Sequence, residues 1–197
     1  ADELGPEALR ALDTLAGANK EIVARHLVMA GQLLDMDPDK AYEHAQAAVK
    51  RAGRVDVVRE AAALTAYATG RFEEALREVR AVRRMRGDES LRAIEADSER
   101  GLGRPERALE VISQADTSKM PLDDQVETIL VAAGARQDLG QTELALLIIE
   151  DALRGMPEGA PDEPRARLMS MQADLLRALG REDEAVAVEA AAPVPED

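Results

Sequence analysis

The sequence predicts an all-α array of antiparallel helix pairs, and three observations carry that prediction. First, one turn recurs along the chain: Thr69-Gly70-Arg71-Phe72-Glu73-Glu74-Ala75-Leu76, Leu102-Gly103-Arg104-Pro105-Glu106-Arg107-Ala108-Leu109, Leu139-Gly140-Gln141-Thr142-Glu143-Leu144-Ala145-Leu146 and Leu179-Gly180-Arg181-Glu182-Asp183-Glu184-Ala185-Val186. Each closes one helix on a glycine and opens the next toward an alanine. A weaker copy without glycine runs from Leu34 to Tyr42. Second, 46% of the 197 residues are apolar, yet there is no Trp, one Phe and two Tyr, so Ala and Leu must fill the core. Such side chains lose little freedom in a helix. Third, no run of β-branched residues alternates with polar ones, so strand signals are missing.

In chain order, residues 1–5 are expected to fray. Pro6 suits a first helical turn, and residues 7–15 read as a short helix. Gly17-Ala18-Asn19 interrupts it, with Asn19 expected as the N-cap of a helix over about 20–35. In that helix Ile22, Val23, Leu27, Ala30 and Leu34 recur at helical spacing. Asp37-Pro38, a cap followed by a proline at the first position, opens a helix to Ala52. Helices over 54–69 and 71–86 follow, the second rich in arginine, and Gly87-Asp88 stops it. Helices over 89–102 and 104–114 come next, then a linker over 115–121. Helices over 122–139 and 141–155 precede a loop, residues 155–164, that holds three prolines and two glycines. Helices over 164–179 and 181–191 close the array. The predicted organisation is a lead-in over 1–19 and a repeat region over 20–192. That region divides into pairs 20–53, 54–87, 88–115, 121–156 and 162–192, and a disordered tail, 193–197, follows.

The second-helix alanines are Ala41, Ala75, Ala108, Ala145 and Ala185, separated by 34, 33, 37 and 40 residues. The longer gaps coincide with the two linkers. A small residue stands 12 places before four of them, at Ala63, Ala96, Ala133 and Ala173, with Met29 departing in the first pair. Another follows seven places after, at Ala48, Ala115, Ala152 and Ala192, with Val82 departing. Glycine holds the turn at Gly70, Gly103, Gly140 and Gly180, and one aromatic, Phe72, follows it. A two-helix unit with a period near 34 and these positions resembles the tetratricopeptide repeat. The early Trp of that family is absent throughout, and its closing proline is matched only by Pro157. The resemblance implies a right-handed superhelical solenoid whose first helices line a groove that holds peptides or proteins.

The totals narrow the functional classes. Cysteine is absent, so disulfides and thiolate metal sites are excluded. No stretch approaches the ~18–20 apolar residues of a membrane span. No leader is visible, and a cytoplasmic location is expected. The net charge is −14 and uneven, with 16 Lys/Arg against 19 Asp/Glu over residues 1–100 and 9 against 20 over 101–197. Such a chain is a poor candidate for general nucleic-acid binding. The Ala/Arg/Glu/Leu-heavy composition suggests a bacterium with a GC-rich genome, such as an actinobacterium. Catalysis is not expected. His26 and His44 sit on different helices with no histidine three or four residues away, which predicts neither a metal site nor a cofactor. There is no Gly-Xaa-Ser-Xaa-Gly elbow and no phosphate loop.

Binding is the expected role. Groove positions implied by the resemblance, counted back from the second-helix alanines, are His26, Ala30 and Leu33, then Glu60, Leu64 and Tyr67. Asp97 and Arg100 follow, then Leu130, Gly134, Gln137 and Asp138, and finally Ser170, Asp174 and Arg177. Asp97/Arg100 and Asp174/Arg177 repeat one Asp–Arg spacing, which reads either as an intrahelical ion pair or as a ladder for a partner's charged groups. Tyr67 is an anchor candidate, because aromatic residues are favoured in interface cores. A local exception to the acidity is residues 50–86, with ten Lys/Arg against five Asp/Glu. Arg77, Arg80, Arg83 and Arg84 cluster there on a second helix. They read as a solvated face paired with Glu73, Glu74 and Glu78, or as a docking face for an acidic partner or nucleic-acid phosphate. The apolar last helix, with Ala185, Val186 and Val188, raises homodimerisation through the terminal repeat as a further expectation.

Overall fold

The computed structural model describes residues 4–193; the end of the predicted tail, from residue 194, lies outside them. Among the described residues the regular structure is helical: α1 Pro6–Ala11, α2 Gly17–Leu33, α3 Pro38–Ala52, α4 Asp56–Ala68, α5 Phe72–Arg86, α6 Arg92–Gly101, α7 Pro105–Ser113, α8 Leu122–Asp138, α9 Thr142–Gly155, α10 Asp162–Ala178 and α11 Glu182–Ala191. Short 3-10 turns occupy Leu12–Thr14 and Thr117–Lys119. The chain forms two compact units, Ala1–Leu102 and Gly103–Asp197.

In the first unit α2 pairs with α3 and α4 with α5, while α4 also touches α1, α2 and α6. Its core gathers Leu12, Val23, Leu27, Ala48, Val55 and Val58. In the second, α8 pairs with α9 and α10 with α11, with α10 packed on α8 and α9. Its core gathers Val126, Leu146, Ile149, Leu168, Leu175 and Leu176. The repeat alanines do what their size permits: Ala41, Ala75, Ala108, Ala145 and Ala185 are all 0% exposed, and a larger side chain there would push the helices apart.

The recurring turn has a physical explanation. Gly70, Gly140 and Gly180 adopt φ of 71°, 72° and 73°, the left-handed region that a Cβ penalises. At Gly70 the Arg71 N–H donates to the Ala66 carbonyl at 2.8 Å and the Gly70 N–H to Tyr67 at 2.9 Å. Gln141 and Arg181 repeat the longer bond to Arg136 and Leu176, both at 2.9 Å. These bonds satisfy carbonyls that a helix end leaves open.

The first turn differs, and the difference corrects the residue counting. Four residues, 34–37, separate α2 from α3, where three separate the later pairs. The burial pattern of α2 is therefore one residue out of step. Val23, Leu27 and Ala30 take the buried places of Val58, Ala62 and Thr65, 35 residues on, while Met29 is 37% exposed. The departure at Met29 is thus a register shift. In that burial register Arg25, Met29 and Gln32 stand level with Glu60, Leu64 and Tyr67.

Three local expectations also change. Asn19 is not an N-cap: α2 begins at Gly17 with no side-chain cap, and the Asn19 amide reaches the Arg51 carbonyl at 3.4 Å. Asp37 does cap α3, accepting from the Lys40 N–H at 3.2 Å. The helix expected from residue 89 starts at Arg92, because Asp88 accepts from the Ser90 N–H at 3.0 Å and prolongs the turn, with Leu91 at φ 62°. Conversely α10 starts two residues early, at Asp162. Pro164 stands in its first turn, where a missing N–H leaves no bond unmade.

Gly101, at the end of α6, is a packing glycine that its backbone angle does not explain. A Cβ there would stand within 2.6 Å of three ring carbons of Phe72 on α5. We expect Gly101→Ala to destabilise the protein by about 1–3 kcal/mol, since overpacking outweighs the better helix propensity of alanine. Urea unfolding should show Phe72→Leu/Gly101→Ala recovering most of that loss. An unchanged midpoint in the single variant would mean that the ring moves aside at little cost.

Candidate partner-binding groove

The first helices α2, α4 and α6 stand side by side in the first unit, as their contacts show. Between α2 and α4 lies an apolar cleft of about 210 Å³, lined by Leu27 and Leu34 from the α2 side and Ala61 and Leu64 from α4. Leu4 and Ala8 of the N-terminal segment complete it. That segment is pinned by Leu12, which is 0% exposed in the core. Leu4, Ala8 and Leu12 are spaced by four, an apolar stripe that is legible in the stretch expected to be only a lead-in.

Of the groove candidates, Ala30, Glu60 and Leu64 line this cleft. Glu60 is held by the Arg86 guanidinium, which also donates through Nε to Asp56 at 2.7 Å. Burial pushes the Asp56 carboxyl up, but Arg86 more than offsets it and holds the group below the usual carboxylate range. Further along α4, the half-buried Tyr67 hydroxyl donates to Asp97 on α6 at 2.5 Å, and Arg100 donates to the other Asp97 oxygen at 2.7 Å. The Tyr67 ring lies 6.1 Å from Phe72. Tyr67, Asp97 and Arg100 therefore form one polar chain across α4 and α6.

The second Asp–Arg pair behaves differently. Arg177 lies 3.8 Å from Asp174 but forms a fork with Glu189 of α11, both bonds at 2.7 Å, and reaches Glu182 at 3.2 Å. Gln137 and Asp138 are exposed at the end of α8, and Leu33 is half-buried at the end of α2.

His26 faces α3, with its Nδ1 2.9 Å from Nδ1 of His44 and the ring centroids 5.2 Å apart. The two histidines are partners although 18 residues separate them. Among the described residues no group of three or more His, Cys, Asp or Glu is placed to hold a metal ion. One nitrogen must donate and the other accept, so this contact requires a neutral ring. Burial, then His44, then Arg51 lower the pKa of His26 from 6.5. An unfolded chain thus takes up that proton at higher pH than the folded one. Its contribution is present above about pH 6.5 and is lost as pH falls through the folded value. Urea midpoints at pH 7.5 and 5 should fall on acidification, and fall less in His26→Gln. Equal slopes in the two proteins would refute the coupling.

Two of the arginines of α5 pair with α6 and not with Glu73, Glu74 or Glu78. Arg80 donates to Glu95 and Glu99 on α6, both at 3.2 Å, and Arg83 donates to Glu95. Both glutamates are buried, at 3% and 4% exposure. Their spacing of four on one helix face is the sequence signal for a shared cationic partner. Arg77 donates to the Glu73 carbonyl at 3.4 Å, and Arg84 is exposed.

No protein-family description matches the sequence, and none of the curated proteins matches it. By structure, the chain is similar to PilF of Pseudomonas aeruginosa, solved in a functional characterization of that protein, with a TM-score of 0.62 and 14% identity over 91% of this chain and 80% of that one. The fold is thus all-α and tetratricopeptide-like, built from antiparallel helix pairs. No helix of the described residues is long and apolar enough to cross a membrane.

Proposed function

We propose that the protein is a non-catalytic scaffold that holds a peptide or protein segment along α2, α4 and α6 of the first unit. The observation that carries this reading is the apolar cleft between α2 and α4, with the Tyr67–Asp97–Arg100 chain beside it. An apolar side chain of the partner enters the cleft, and its polar groups meet that chain. The fold supports the reading, since stacked hairpins leave their first helices as an extended binding face. The basic face is the weaker alternative, because Arg80 and Arg83 already neutralise buried carboxylates.

Capture from a lysate of the source organism, read by mass spectrometry, tests this. Leu64→Glu and Tyr67→Ala/Arg100→Ala should lose a protein that wild type and Arg77→Glu/Arg84→Glu both retain. Loss only with the arginine reversal would move the function to α5 and overturn the groove reading. So would retention by every variant.

A further inference from the structure

The outer face of α9 in the second unit is not used by the groove or by the helix pair. Leu144 and Leu147 are 46% and 54% exposed, and with Ile148 they form a stripe at spacings of three and four. The stripe floors an open trough of about 410 Å³ whose polar edges are Arg136, Asp151 and Arg154. Residues 101–197 hold 9 Lys/Arg against 20 Asp/Glu. Two of those few cations flank this exposed apolar stripe.

We infer that this face is a homodimer contact, in which α9 meets α9 of a second copy antiparallel about a two-fold axis at Leu147 and Ile148. The charges are self-complementary in that arrangement. A two-fold between 147 and 148 sets residue 151 of one copy level with residue 144 of the other. Arg136 lies near that level, because α8 and α9 are an antiparallel pair joined by a three-residue turn and Arg136 lines the trough with Leu144. Asp151 of each copy therefore meets Arg136 of the other, twice over, as an isologous interface requires. Leu144 and Leu147 close the apolar centre between these pairs. The arginines also offset the repulsion between two strongly acidic halves. Within one copy Asp151 accepts from Arg154, at 3.1 Å on the same exposed face, which is a weak competitor.

Sedimentation equilibrium of the full chain, over about 1 to 300 μM to cover moderate affinities, tests the assignment. Wild type should move from monomer to dimer mass. Leu147→Glu, at an exposed position that leaves the core intact, should raise the dissociation constant at least about tenfold, and Asp151→Arg should also weaken the dimer. Arg136→Asp/Asp151→Arg should restore it, because the exchanged charges pair again. The chain lacks cysteine, so Leu147→Cys supplies a single thiol that should oxidise to a linked dimer, while Val186→Cys on α11 should not. A wild type that stays monomeric would overturn the proposal. So would a Leu147→Glu variant that dimerises normally, or linkage through position 186 alone.

Discussion

Arg80→Ala/Arg83→Ala should lower the unfolding free energy by about 3–5 kcal/mol, a cost typical of a buried ion pair that loses one side. Glu95 has 5% of its side chain exposed and is held by Arg83, by Arg80 at 3.2 Å and by Arg92 at 3.7 Å. Burial pushes its carboxyl up, but Arg83 and then Arg80 outweigh burial and hold it below the usual range. Without those two guanidinium groups burial dominates and the sign reverses. In wild type this group stabilises the fold above the ordinary carboxylate pKa, and the contribution is lost as pH falls through the depressed folded value. In the double variant only Arg92, at 3.7 Å, still faces the buried charge, so protonation relieves it and the gap between the two proteins should narrow from pH 7 to pH 5. Adding Glu95→Gln should recover much of the loss at pH 7. A double variant within about 1 kcal/mol of wild type would mean that α6 turns Glu95 out to water.

The elements that sequence reasoning locates well are those that local chemistry dictates. Gly70, Gly140 and Gly180 end helices because only a residue without a Cβ adopts their backbone angles cheaply, and a glycine at a fixed interval is visible in a string of letters. The alanines 41, 75, 108, 145 and 185 are visible for the same reason, as small residues that let two helices approach at those points. The errors arise where a local signal has a competitor. Asn19 is a good cap by type, but Gly17 and Ala18 cost the helix too little to keep it from starting earlier. Pro164 reads as a breaker, yet in a first turn it breaks nothing. The extra residue between α2 and α3 cannot be seen without a glycine to mark the turn, so counting back from Ala41 lands one place off.

The candidate groove is legible only where its residues act through their own helix. The repeat resemblance, counted back from Ala75, picks out Glu60 and Leu64. The partnership of Tyr67 with Asp97, 30 residues on, depends on which helices become neighbours, and so do His26 with His44 and Arg83 with Glu95. No spacing rule within one helix reaches across a turn of variable length. The arginines of α5 show the consequence most plainly. Counted alone they suggest a basic face, but set beside α6 two of them, Arg80 and Arg83, are counter-ions for two glutamates that burial would otherwise forbid.

Leu175→Ala should cost about 2–5 kcal/mol and act on the second unit alone. Leu175 is 0% exposed in the core that Val126, Ile149, Leu168 and Leu176 share. Truncation removes its burial and leaves a space that helices held by alanine contacts cannot close without clashing. The first unit has its own core cluster, built around Leu12, Val23, Leu27 and Val58. In arrays of stacked hairpins stability is a sum of local terms, so a defect lowers protection near itself first. Hydrogen exchange should therefore show faster exchange across α8 to α11 while α2 to α5 keep wild-type protection. Val58→Ala, in the other core, should give the mirror pattern at a smaller cost, since less apolar volume is lost than from leucine. Equal acceleration of both units by either variant would mean that the two cores melt as one, and the additive picture of this chain would have to be abandoned.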